Sequence, residues 1–262
     1  MIIIAEPYGD HSNRLFQAVH YEAYCLDRQI GFMNAAFDDM AAHYPALRQG
    51  ATKRLLHQAA KVLVRTRLAA IQRDLKSALE LDTARKKGMT FVGGFDFRAH
   101  DLTRAHQDYF IEKYAIDKRV ASCCKLAREI EIWKSTGIAV VGVHMRRGDY
   151  QRFKGGRYYY SDAIYESSMR SIEKLIAATG MRTKFILFSN EEFSMTPGVG
   201  IDYTCSKNDW LTDHFLMSQC NFLVGPPSTF TLWASFMGKV PYHHILEPDE
   251  TIALSSFERC IG

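Results

Sequence analysis

Three stretches of this 262-residue chain carry side chains whose types and spacing suit chemistry on an anion. In "GIAVVGVHMRRGDYQRF", residues 137–153, a β-branched apolar run ends abruptly in His144, Arg146, Arg147 and Asp149. Two adjacent guanidiniums can grip a pyrophosphate, since each is a planar fork of donors that keeps its charge at physiological pH. Taken singly, Asp149 could only pair with an arginine and His144 could only cap a strand; the cluster as a whole points to an anion site. In "GPPSTFTLWASF", residues 225–236, a helix starts at Ser228 or Thr229, where hydroxyls and free N–H groups form either a phosphate seat or an ordinary N-cap. Between them Asp213 stands one turn into an amphipathic helix whose Phe215, Leu216 and Cys220 face the core. A carboxylate there either answers the helix macrodipole or accepts N1–H and N2–H of guanine together, a pattern adenine lacks.

Such groups need strands that end where the charges begin. Short apolar runs at 1–5, 89–95, 137–145, 183–189, 220–225 and 239–245 read as buried parallel strands. Segments 12–30, 117–134, 160–179, 209–219 and 229–237 read as helices, giving the alternation of a doubly wound α/β architecture. The division between lobes is expected at 136/137, where a charged helix meets the strand before the arginines: an amino-terminal lobe over 1–136 and a nucleotide-binding lobe over 137–262. Residues 47–87 hold no proline and eleven Lys/Arg against three Asp/Glu, and are expected to form one long basic helix. Leu55, Ala59, Val62, Ile71, Leu75 and Leu79 recur with helical spacing as its packing face, leaving a cationic face for solvent, an anionic membrane or acidic glycans.

Composition narrows the partners. With 47% hydrophobic and 24% charged residues the chain can bury a substantial core, and a net charge of +4 is too mild to announce a nucleic-acid binder. No aromatic platform accompanies the basic segment, so a nucleic-acid partner is not expected. Cys25, Cys123, Cys124, Cys205, Cys220 and Cys260 show no C-x-x-C spacing and read as reduced thiols. The opening "MIIIAEPYGD" lacks a basic n-region and a long apolar run, so the expected location is cytoplasmic, with peripheral membrane contact through 47–87.

The sequence resembles the fucosyltransferases that share an H-x-R-R-x-D motif, and most closely the α1,2-fucosyltransferases of glycosyltransferase family eleven. "VGVHMRRGDY" is similar to that family's strand and signature, "GRYYYSDAIYESSM" to the aromatic-rich helix start after it, and "FILFSNEE" to its F-I-F-S-D-D strand end. "TDHFLMSQCNFLVGPPSTFTLWASF" resembles the D-L-x-L-M-S stretch and the S-S-F-S-W-W-like segment that follows it. "PYGDHSNRLFQAVHYEAY" stands where the family has a glycine-rich G-G-L-G-N-Q-x-F-Q loop; it keeps Asn13, Leu15, Phe16 and Gln17 but loses two glycines.

What the resemblance implies is an α/β fold of the GT-B type, two Rossmann-like lobes with a cleft between them, GDP-β-L-fucose on the carboxyl-terminal lobe and an acceptor glycan in the cleft. By position Arg146 would hold the β-phosphate, His144 and Arg147 would support the nucleotide, Asp213 would read guanine, Ser228 with Thr229 would cap the diphosphate, and Phe230 would be a further donor-binding residue. Asn13 would lie on the acceptor side. The implied reaction is an inverting transfer of L-fucose to an acceptor hydroxyl, the 2-OH of a galactoside, with no cofactor. No D-x-D pattern is present and no metal is invoked. Asp149 either takes the attacking hydroxyl's proton or orients Arg147. An α1,6- or protein O-fucosyltransferase, or a GDP-sugar-binding relative without turnover, fits the same motifs.

Overall fold

The computed structural model describes residues 1–48, 50–85, 88–192, 198 and 200–262. The chain divides into two compact units, Met1–Asp117 with Ile261–Gly262, and Lys118–Cys260.

The first unit is built on four short parallel strands, β1 (Ile2–Ile4), β2 (Phe32–Asn34), β3 (Ile71–Gln72) and β4 (Thr90–Val92), in the order β2-β1-β4-β3. β1 is central, pairing Ile2 with both Phe32 and Thr90, and its three isoleucines are buried, as a two-sided parallel strand requires. Helices α1 (His11–Asp27), α2 (Ala51–Arg65), α3 (Ala78–Ala84), α4 (His100–Ala105) and α5 (Gln107–Lys113) complete the unit.

The single helix expected over 47–87 does not form; its Gln49, Lys86 and Lys87 lie outside the described residues. α2 stops at Arg65: Thr66 Oγ1 donates to Val62 O at 2.7 Å, and Arg67 turns into the left-handed region at φ 61°. The chain then runs extended, because Ile71 and Gln72 are needed beside Phe91 and Val92 in the sheet. A fresh helix starts where Ser77 Oγ accepts the Glu80 N–H at 3.3 Å and the Glu80 carboxylate accepts the Lys76 N–H at 2.7 Å. The faces of α2 are also reversed from expectation. Leu55, Ala59 and Val62 point to solvent, while His57 and Ala60 are buried, His57 within 2.5 Å of the Asp38 carboxylate.

The second unit contains helices α6 (Lys118–Cys123), α7 (Lys125–Ser135), α8 (Asp162–Ala177), α9 (Trp210–Gln219) and α10 (Thr229–Gly238). Its strands are β5 (Ile138–Met145), β6 (Arg182–Ser189), β7 (Tyr203–Cys205), β8 (Phe222–Gly225), β9 (Pro241–His244) and β10 (Glu258–Arg259). The sheet order is β10-β9-β8-β5-β6-β7, parallel throughout except for β10, which runs antiparallel to β9. From β5 the chain winds outward one way through β6 and β7, then returns to the other side of β5 with β8 and β9. A switch in winding direction therefore lies at β5/β8, and ligands bind outside the carboxyl ends of strands at such a point.

The units divide at 117/118, ahead of the expected 136/137. The reason is packing: Leu126, Ala127 and Ile130 of α7 are buried against Val140 and Ile186 of the second sheet, so the helix before β5 belongs with that sheet. The run expected as one helix over 117–134 breaks at Cys124, whose backbone is extended at the start of α7.

Candidate functional site

β5 places its side chains alternately on two faces. Ala139, Val141, Val143 and Met145 pack toward Tyr165, Met169, Ile172 and Ile176 of α8. Val140 packs the other way, onto Leu216, Met217 and Cys220 of α9 and its surroundings, and His144 shares that side, with Nδ1 2.8 Å from Thr231 Oγ1 on α10. The same alternation continues past the strand end and separates the two arginines.

Arg146 falls on the side of His144 and lines a cavity of about 310 Å³ at the carboxyl ends of β5 and β6. Its Nη2 donates to the Asp149 carboxylate at 3.1–3.2 Å and its guanidinium lies 5.2 Å from the Tyr150 ring centre. Nε is buried and, among the described residues, has no hydrogen-bond partner, an expensive state for a charged group and one that a bound anion would relieve. Arg147 falls on the opposite side. It is buried, donates to Tyr160 O and the Asp162 carboxylate, and sits 5.3 Å from the Tyr165 ring centre. The nucleotide-supporting guanidinium expected at Arg147 is therefore not among the groups lining the cavity; it ties the start of α8 to the end of β5.

The loop after the arginines is tightly specified. Gly148 adopts φ +57°, and a Cβ there would stand 3.0 Å from Glu191 Oε1, so the turn that returns Asp149 to Arg146 favours glycine. Asn190 Oδ1 accepts the Arg147 N–H at 2.8 Å, and the Tyr150 hydroxyl donates to Pro227 O at 2.6 Å, fastening this loop to the ones after β6 and β8. Asp149 thus holds Arg146; of the roles open to it from the sequence, the orienting of Arg147 is not the one this geometry gives.

On the far wall, Asp213 of α9 is 8% exposed and accepts the Ser206 hydroxyl, which itself accepts from Asn208 Nδ2 at 2.9 Å. Burial pushes its carboxyl up to about 7; the Ser206 hydrogen bond opposes that rise and the Asp209 charge adds to it. Asp209, not Asp213, caps the helix, its carboxylate accepting the Thr212 N–H at 2.8 Å. Asp213 is thus a buried carboxyl facing a cavity with acceptor capacity to spare.

Phe230 also lines the cavity and stacks on His214, ring centres 4.1 Å apart. Burial holds both histidines neutral. His144 is lowered to about 3, with the Arg146 and His244 charges adding to the effect; His214 is also lowered to about 3, against the pull of its bond to Phe230 O. Ser228 acts as the N-cap of α10, its Oγ accepting the Phe230 N–H at 3.2 Å, and Thr229 is the first helical residue; neither is among the groups lining the cavity. Asn13 belongs to the other unit. There Gly9, at φ +58°, lies so close that a Cβ would stand 2.4 Å from Asn13 Nδ2, so the turn before α1 favours glycine.

Five cavity residues escaped the sequence reading: Phe188, Ser189, Asn190, Asn208 and Trp210. A signal existed for two of them. Met145 pairs with Ser189, so Arg146 and Asn190 follow side by side at adjacent strand ends. Among the described residues, no group of three His, Cys, Asp or Glu side chains is gathered as a metal ion would require, and no helix is long and apolar enough to cross a membrane.

The chain resembles solved fucosyltransferases. A mutant of Arabidopsis thaliana FUT1 in complex with GDP matches with a TM-score of 0.62 at 10% identity, covering 98% of this chain and 73% of that one. Bradyrhizobium NodZ, an alpha-1,6-fucosyltransferase soaked with GDP-fucose, matches with a TM-score of 0.51 at 13% identity, covering 93% and 94%. The shared fold is the α/β, GT-B type with two Rossmann-like lobes. Among curated proteins no sequence match is found. The sequence pattern of Glycosyl transferase family 11 matches residues 97–243, which include β5, both arginines, Asp213 and the start of α10; the chain belongs to glycosyl transferase family 11.

Proposed function

We propose that this glycosyltransferase moves L-fucose from GDP-β-L-fucose to a hydroxyl of an acceptor glycan, the 2-OH of a galactoside, by direct inverting displacement. The observation that carries the reading is Arg146, a cation whose Nε is buried and, among the described residues, unpartnered at the wall of a cavity that also holds the Asp213 carboxyl. Loss of GDP from the sugar builds charge on the leaving phosphate, and a fixed guanidinium at that oxygen stabilises the transition state more than the ground state. Asp149 holds Arg146 in place, and Asp213, ionised on binding, accepts the two guanine donors. Arg146 takes the part that a metal ion plays in other transferases. A likeness to solved enzymes that bind GDP and GDP-fucose supports the donor assignment.

The test is consumption of GDP-fucose against a panel of β-galactosides with linkage analysis of the product. The expected product is α1,2-linked with inverted configuration. An α1,6-linked or protein-linked product would move the chain to a different acceptor class. Tight GDP binding without turnover on any acceptor would make it a GDP-sugar-binding protein.

A further inference from the structure

The outer face of α2 is apolar and has no counterpart in the core. Leu55, Ala59 and Val62, at spacings of four and three residues, form one stripe; Leu55 is 71% exposed and Val62 54%. Leu56 and, just past the helix end, Leu68 extend the patch, with Leu68 77% exposed. Helices that are apolar on the side away from the fold normally meet something else there.

Charge indicates what that is. From Arg48 to Arg73 the chain has seven Lys/Arg and no Asp/Glu. Arg48, Lys61 and Arg73 pair with Asp117, Asp38 and Glu6 of the same unit. Lys53, Arg54, Arg65 and Arg67 are exposed and, among the described residues, have no acidic partner. Arg54 and Arg65 are eleven residues apart, hence on one side of the helix, along the border of the stripe. We propose that α2 docks on an anionic lipid surface, with Leu55, Leu56 and Val62 among the headgroups and Arg54, Arg65 and Arg67 on the phosphates. A convex apolar ridge suits a fluid surface, and arginine stems lie along apolar matter while their heads reach anions. A symmetric contact with a second copy would set these cations against each other with no acid on the helix to offset them.

Flotation of the full chain with phosphatidylcholine vesicles, with and without phosphatidylglycerol, tests this. Binding should require phosphatidylglycerol and weaken as salt rises. Leu55→Gln/Val62→Gln and Arg54→Gln/Arg65→Gln should each weaken it by about tenfold or more, with melting temperature and turnover of a soluble acceptor unchanged. The proposal is overturned by absence of flotation on anionic vesicles, by equal flotation on neutral ones, or by either double variant binding as well as the parent. It is also overturned if light scattering finds a dimer that Leu55→Gln/Val62→Gln converts to monomer while vesicle binding persists.

Discussion

The end of β5 and the outer face of α2 are both places where apolar residues adjoin arginines, and they fold by different logic. β5 is eight residues long and covered on both faces, so every side chain in it has one allowed direction, and that direction carries over to Arg146 and Arg147. α2 touches its unit along a single side, and its sequence offers two apolar stripes of similar quality: Leu55, Ala59 and Val62, or Ala60 and Val64 with His57. Hydrophobic period identifies a helix without saying which stripe is covered. The covered one here contains the polar His57, because Asp38 waits to bond it.

The sharpest way to exploit that contrast is at the strand end. Arg146→Lys keeps the charge but loses the planar fork, and should lower turnover on the order of a hundredfold or more with the melting temperature unchanged. Arg147→Lys should act differently, lowering the melting temperature through the lost ties to Tyr160 and Asp162. Thermal melts beside steady-state rates distinguish the two; equal rate losses without destabilisation would put both arginines on the ligand.

The same comparison can be made with leucines. Leu216 is fully buried in the α9 core, whereas Leu55 is exposed. Leu216→Ala should cost about 2–5 kcal/mol of stability and Leu55→Ala no more than about 0.5 kcal/mol in urea unfolding. A large cost at Leu55 would restore the packing face read from the sequence.

pH separates the two kinds of buried group in the second unit. Burial lowers His144 and His214 to about 3 and His244 to about 4, from 6.5, so between those values the unfolded chain binds protons that the native one refuses. Their contribution is present above pH 6.5 and is lost as pH falls. Asp213 does the reverse: with its carboxyl raised from 3.8 to about 7, the native chain keeps a proton the unfolded chain has released, and stability declines as pH rises through that window. Three histidines outweigh one aspartate, so the melting temperature should fall from pH 7 to pH 5, at most about 1.4 kcal/mol per pH unit per group. Asp213→Asn removes the opposing group and should make the fall steeper. An unchanged fall in that variant would mean that Asp213 is not protonated in the free protein.

The smallest expected effect is none: if, as proposed, Arg146 meets the leaving-group charge, fucosyl transfer after exhaustive EDTA treatment should proceed at its untreated rate. Loss of activity that manganese restores would assign that task to a metal.

Much of the second unit was legible because its strands are long and doubly covered. The strands expected at 137–145 and 183–189 correspond to β5 and β6, and Arg146, His144, Asp213 and Phe230 do meet at one cavity. β2, β3, β7 and β10 were missed; at two or three residues each, they carry too little pattern to stand out. The break after α2 was hidden for a similar reason, since Thr66 to Ala70 contains neither glycine nor proline, although the S-A-L-E spacing at 77–80 did mark a new helix start. The separation of Arg146 from Arg147 was available from the two-residue period of β5, carried one step beyond the strand. Trp210 and Asn208 gave no such sign, because only the return of α9 over the sheet brings them to the cavity.

Whether the cavity beyond β5 reads guanine is decided most directly by calorimetric titration of GDP, IDP and ADP into the wild-type protein and Asp213→Asn. IDP lacks the 2-amino group, and a buried carboxylate left without that donor loses about 1–3 kcal/mol. The account predicts that wild type binds GDP roughly tenfold or more tightly than IDP and ADP hardly at all, and that Asp213→Asn loses most of the preference for GDP over IDP. Equal affinity of the wild-type protein for GDP and IDP would contradict it.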